Sequence, residues 1–191
     1  MSDVKIVSQL LNFNELEFYN HLQERIIILN NDIDDEVVES GIIQILKWNR
    51  EDEKLDASEV KGAEIILNSA GGAVDIGMVL CDVIKASKIP ITITALGIAA
   101  SMGGLILMSG KHRRAYKHSN ILIHDGSMFL GGTSGKVKDH MKFQEEKEAQ
   151  LKKFILENTK ITDKKYEEMH DREWWLTAEQ ALEYGIIDEI I

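Results

Sequence analysis

Four short apolar runs constrain what this chain can fold into: "RIIIL" (25–29), "EIILN" (64–68), "PITITAL" (90–96) and "ILIH" (121–124). Each has the length of a strand and is rich in β-branched residues. Between them lie segments with helical periodicity: "DDEVVESGIIQILKWN" (34–49), Val74–Lys88 and Ser101–Ser109. Strand, helix, strand, helix in that order gives parallel strands joined by crossover helices, because a tight turn cannot reach a parallel partner. The fold class is α/β. "REDEKLDASEVKG" (50–62) reads as a charged surface loop and "SAGG" (69–72) as a tight turn into the next helix. No repeat, low-complexity tract or linker interrupts the chain, which reads as a single domain.

A chain of 191 residues is long enough to bury a substantial core. Its 44% hydrophobic and 28% charged residues are those of a globular protein. A formal net charge of −10 argues against the basic surface that a nucleic-acid partner needs. The N-terminus lacks a basic-then-apolar leader and the longest apolar runs are too short to span a bilayer. A cytoplasmic location and no membrane partner are therefore expected. The one cysteine, Cys81, excludes an internal disulfide and agrees with a reducing compartment. It lies in the apolar-periodic helix "GMVLCDVIKASK" and reads as a small buried hydrophobe. The histidines show no zinc-ligand spacing, so no metal is expected.

In open α/β folds the reactive groups gather at the carboxyl ends of the parallel strands. "LNSAGG", "GIAASM" and His124 all fall at such ends. Ser101 has two readings. A small residue lets a helix start close to a strand, and its hydroxyl can cap that helix. Alternatively, a reactive hydroxyl sits beside free helix N–H groups that can stabilise an oxyanion. Gly71-Gly72 is either a turn requiring positive φ or a place where backbone N–H groups approach a ligand. His124 is either a hydrogen-bonded core residue or the base that a serine nucleophile requires. Taken together, a serine, a base and a glycine turn at adjacent strand ends point to acyl transfer.

The long helix "KVKDHMKFQEEKEAQLKKFILEN" (136–158) places Val137, Met141, Leu151, Phe154 and Ile155 at helical spacing around a densely charged middle. Charge density alone favours a helix lying on the domain with one face solvated. The alternative is a helix that projects toward another subunit.

The ordered blocks "RIIILNNDIDDEVVESGIIQIL", "ILNSAGGAVDIGMVLCDVI", "GIAASMGGLILMSG", "ILIHDG" and "LTAEQALEYGIIDEII" resemble the proteolytic subunit of the ATP-dependent Clp protease (ClpP) family. The likeness runs from about Tyr19 to Ile191, leaving 1–18 as a divergent N-terminal segment. It implies a crotonase-like αβ-superhelix of repeated β-β-α units, with a projecting handle helix at about 126–158. It also implies a serine peptidase in two stacked heptameric rings around a chamber, taking peptide and protein substrates. No cofactor is implied, and ATP would be used by a separate AAA+ unfoldase. By motif, Ser101 would be the nucleophile and His124 the general base, and the N–H groups of Gly72 and Met102 would form the oxyanion hole. "MFLGGTSG" (128–135) resembles the strand and loop lining the family's substrate groove.

Some positions depart from the family pattern. Where it has its catalytic aspartate, four residues before Thr177, this chain has Glu173 in "DREWWLT". Asp171 lies two residues upstream as the alternative acid, and Arg172 matches an arginine tied to ring contacts and activation. Ala70 replaces the usual proline, and "HDG" replaces "HQP". Rival readings are a ring subunit with a damaged triad, an acyl-CoA enzyme of the crotonase superfamily, and a phage-type capsid maturation protease.

Overall fold

Strand β2 (Ala63–Ser69) alternates buried and half-buried residues along its whole length, and β3 (Ile91–Ala100) lies beside it in parallel. Around this pair the computed structural model, which describes residues 13–126 and 129–191, builds a mixed α/β architecture. Helix α1 (Phe13–Gln23) leads into the edge strand β1 (Ile26–Leu29). A π-helical turn (Val38–Ile42) then runs into α2 (Ile43–Glu51). After β2 the chain forms α3 (Val74–Ala86), β3, α4 (Met102–Ser109), β4 (His112–Ala115) and β5 (Asn120–Ile123). It continues as α5 (Ser134–Asn158), α6 (Asp163–Glu168), β6 (Trp174–Thr177), α7 (Ala178–Glu183) and β7 (Glu189–Ile190).

The 7-stranded sheet has the parallel order β1-β2-β3-β4-β7, and β5 and β6 branch from it. β3 pairs with β4 over Thr92–Ala95 and then with β5 over Ile98–Ala100, so one strand carries two successive neighbours. Only β5 and β6 are antiparallel. The sequence expectation ended β3 at Leu96, but the strand continues to Ala100. A register shift against β2 explains how it passes Gly97. There the Asn68 Oδ1 accepts from the Ile98 N–H at 3.0 Å, and a Cβ on Gly97 would sit 2.9 Å from that oxygen. Strand formation is fixed by this partner rather than by β-propensity.

The core between the sheet and helices α2 to α4 contains Ile45, Ile65, Leu67, Leu80, Ile93 and Ile106, all fully buried. Each such side chain contributes about 1.5–3 kcal/mol on burial. Cys81 is among them, a fully buried packing residue as the sequence suggests, and burial pushes its thiol up to about 12. Every residue of α4 is buried, as its unbroken apolar composition demands.

α5 is different. Ile155 is its only buried residue, while Met141 and Phe143 are 50% and 59% exposed. Leu151 and Phe154 pack its last turns against the core. The helix therefore packs on the core through its C-terminal turns, and Lys147 in its middle reaches Asp75 of α3. The earlier turns of α5 lack an apolar stripe wide enough to bury, and most of their side chains are exposed. Among the described residues no helix is long and apolar enough to cross a membrane.

Two expectations meet the edge of the described chain. Of the divergent segment 1–18, residues 13–18 open α1 and the remainder lie outside the described residues. Of "MFLGGTSG", Met128 lies outside them, Phe129–Thr133 have no regular structure, and Ser134 already begins α5. The strand expected there is absent among the described residues: no neighbouring strand offers a ladder, and Gly132 turns the backbone to φ 143°.

Candidate active site

Between β3 and α4 the chain makes an elbow at Ser101, with φ 54° and ψ −122°. A non-glycine residue in that region costs on the order of 1–3 kcal/mol and persists only where its surroundings over-determine it. Here they do. The Ser101 N–H donates to the Leu122 carbonyl at 3.0 Å, and the Ser101 carbonyl accepts from the N–H groups of Gly104 and Leu105. Small residues make the approach possible. A Cβ on Gly71 would lie 2.6 Å from the Ser101 Cβ, and one on Gly103 would lie 3.0 Å from the Ser69 carbonyl oxygen. The structural reading of Ser101 as a spacer is thus correct, but its capping half is not. Ser101 occupies the N-cap position of α4, yet its side chain makes no cap hydrogen bond. The hydroxyl is left over by the fold.

The neighbouring glycine turn and the start of α4 each carry one of the two expected oxyanion-hole N–H groups. Gly72 forms an isolated parallel bridge with Ile33: the Ile33 N–H donates to the Gly71 carbonyl at 2.8 Å, and the Ala73 N–H donates to the Ile33 carbonyl at 2.7 Å. In that pattern the N–H of Gly72 itself faces away from the bridge. No other residue fits, since a Cβ at Gly72, where φ is 149°, would meet the Ile33 oxygen at 2.3 Å. Met102 is the first residue of α4, where N–H groups have no intrahelical partner and the helix dipole is positive.

His124 follows directly on β5. Its ring and Ser101 line one narrow cleft with Leu105 and Ile155. The Nε2 atom is buried without a hydrogen-bond partner among the described residues. An unsatisfied buried polar atom costs about 1–3 kcal/mol, so such an atom usually marks a reserved function or a missing ligand. The structure thus brings Ser101 and His124 to one cleft but does not hydrogen-bond them.

The acidic residues sit differently. Glu173 is exposed, and its Oε2 accepts from the Trp175 indole at 3.1 Å. Asp171 is exposed at φ 58°, and Arg172 is exposed beside it. Neither Asp171 nor Glu173 hydrogen-bonds to His124. The antiparallel register of β5 and β6 ends with Ile123 opposite Trp174, and one further step would set His124 opposite Glu173. The same continuation sets Gly126 opposite Asp171. Sequence reasoning passed over Asp125, Tyr166 and His170, which form a polar cluster next to His124. The signal was present in "HDG", where Asp125 stood out without an assigned role.

Fold and site define a class: an α/β protein whose candidate chemistry gathers where parallel strands end, around a strained serine elbow and a half-buried histidine. Within that class, residues 13–191 match the Clp protease family. The "ATP-dependent Clp protease proteolytic subunit 2" of Corynebacterium efficiens is 36% identical over 89% of this chain and 83% of its own length. Subunit 2 of Mycolicibacterium paratuberculosis is 35% identical over 100% of this chain and 94% of its own length. Subunit 1 of Mycobacterium tuberculosis is 34% identical over the same shares, 100% and 94%. The chain belongs to the Clp protease family, and that membership supports a serine-protease role.

Proposed function

We propose that residues 19–191 form one peptidase domain that hydrolyses peptide bonds of unfolded polypeptides inside a self-assembled chamber. Ser101 Oγ attacks the scissile carbonyl carbon. His124 Nε2 takes the hydroxyl proton and gives it to the leaving amine. It then takes a proton from the water that attacks the acyl-serine and returns it to Ser101 Oγ as the acid product leaves, so that one base serves both half-reactions. The developing oxyanion is received by the N–H groups of Gly72 and Met102, which need no reorganisation because the turn and the helix start already hold them. Glu173 orients the imidazole by accepting the Nδ1 N–H. This chemistry requires no cofactor.

One observation carries the reading: an uncapped serine hydroxyl on a strained elbow shares a cleft with a buried, unpartnered imidazole nitrogen. The exposed Met141 and Phe143 on the earlier turns of α5 support a contact between subunits, read here as the handle joining two stacked heptameric rings. The relatives' designation as ATP-dependent supports an AAA+ unfoldase partner, and a cytoplasmic setting suits that pairing. A second reading, a ring subunit with attenuated catalysis, draws on the absence of a carboxylate bonded to His124.

Hydrolysis of short fluorogenic peptides, run beside native mass determination, separates the two readings. The peptidase reading expects turnover in an assembly larger than a dimer. Assembly without turnover favours the attenuated subunit, and a monomer defeats the chamber.

A further inference from the structure

The backbone ladder that joins β5 to β6 stops at Ile123 and Trp174, just before the histidine and the acid that the proposed triad needs to bring together. Past that point the two chains are tied by the Asp125 side chain. Its Oδ2 accepts from the Asp171 N–H and pairs with His170 Nδ1 at 3.1 Å. Its Oδ1 accepts from the Tyr166 hydroxyl at 3.4 Å. Asp125 follows His124 directly, and Asp171 precedes Glu173 by two residues. A single carboxylate therefore spans from the chain leaving the base to the turn that delivers the acid, and it also reaches α6.

We propose that Asp125 is a positioning residue, one that replaces the missing rungs of the ladder and holds the 170–173 turn in register so that Glu173 faces His124. The proposal rests on the peptidase reading only for its consequence in turnover; the geometry it asserts is independent of catalysis. Three features of the site support it. Asp171 adopts φ 58°, a strained conformation that a hydrogen bond to its N–H helps to hold. The Asp125 side chain is 26% exposed, so its bonds are partly shielded from water. Burial, followed by the Asp125 charge, pushes the Tyr166 hydroxyl up to about 12, so that oxygen stays protonated and remains a donor.

Asp125 follows His124 and is faced by His170 and Asp171 on the turn and by Tyr166 on α6; Tyr166 in turn lies near Glu167 of α6 and Lys152 of α5. In this structure Glu173 accepts from the Trp175 indole. The proposed pairing requires a change of the Glu173 rotamer, with the turn held by Asp125.

The test is a histidine NMR titration of the intact protein carrying Ser101→Ala, in four backgrounds: Asp125 as it stands, Asp125→Ala, Glu173→Gln, and the two combined. A carboxylate facing the imidazole favours its charged form. Asp125→Ala should therefore lower the His124 titration midpoint, by about as much as Glu173→Gln does. The combined variant should show no further shift, because both changes break the same pairing. Asp125→Glu should restore part of the loss. An unmoved His124 midpoint in Asp125→Ala, or two shifts that simply add, would overturn the proposal.

Peptide turnover is then measured on the same substitutions with Ser101 intact. Asp125→Ala should lower kcat on the order of 10⁴-fold with KM little changed, as Glu173→Gln does, because the same pairing is lost. Coupled midpoints in a protein without turnover would leave the positioning role standing and sink the peptidase reading instead.

Discussion

The elbow at Ser101 and the arm that carries Glu173 are two halves of one candidate site, and they are held by different means. At the elbow, backbone contacts leave no freedom: the Ser101 N–H is fixed on Leu122, Gly71 is packed against the serine, and Gly72 is bridged to Ile33. On the arm the β-ladder has ended, and side chains hold the turn, with Asp125 bonded to the Asp171 N–H and Glu173 bonded to Trp175. A backbone clamp tolerates no added atoms. A side-chain clamp can move by a rotamer. The nucleophile and oxyanion groups are thus preorganised, and the acid is the adjustable member.

The comparison breaks most visibly at the nucleophile. Ser101→Ala removes one oxygen from a residue whose side chain makes no cap bond, so assembly and thermal stability should be preserved. Peptide turnover should fall by at least about 10⁴-fold. Turnover retained in the purified variant would mean that the elbow is only a packing device. The next largest effect belongs to the arm. Glu173→Gln should cost on the order of 10⁴ in kcat, the scale of losing an orienting carboxylate in such a triad, while Asp171→Asn costs under about 10-fold. The reverse ranking would move the assignment to Asp171, and two silent variants would leave His124 working without an acid.

A third substitution tests how rigid the elbow is. An alanine at Gly71 must place its Cβ 2.6 Å from that of Ser101 at φ 107°, so the backbone has to shift. The expected result is a loss of about 1–3 kcal/mol in denaturant unfolding, with turnover lowered about 10²-fold. A variant with unchanged stability and turnover would show that the backbone clamp is softer than its contacts imply.

These differences decide what could be read from the sequence. "GIAASMGG" is legible because an elbow needs small residues wherever backbone meets backbone, and composition records that need directly. The buried α4 and the parallel strands β1, β2 and β3 are legible through their apolar runs. The end of β3 is not, since Gly97 to Ala100 are held in the sheet by Asn68 and by β5, both distant in sequence. The α5 helix shows its length in its period, but charge density does not tell which turns are buried: only Ile155, near its C-terminal end, is. The arm is the least legible part. Asp125 stands 41 residues before Tyr166 and farther still from His170, and only the folded chain brings them together.

The smallest expected effect lies away from both halves, at the pair joining β4 to the start of β7. The Arg113 guanidinium holds the Asp188 carboxyl below the usual carboxylate range. A carboxyl with a depressed folded pKa adds stability above its unfolded pKa of about 4 and loses it as the pH falls through the folded value. The pair is partly exposed, so Asp188→Asn should cost on the order of 1 kcal/mol or less at pH 7. At pH 3 the gap from the parent protein should narrow. A gap that widens on acidification would contradict the assignment of that pair, while peptide turnover at pH 7 should stay unchanged because neither catalytic half is touched.

The account's central claim is that the fold leaves one serine hydroxyl reactive. Mass mapping of the protein after exposure to a serine-directed fluorophosphonate tests it most directly. The predicted result is a single covalent adduct on Ser101, absent when His124 is replaced by alanine. No adduct, or an adduct on a serine elsewhere that persists without His124, would contradict it.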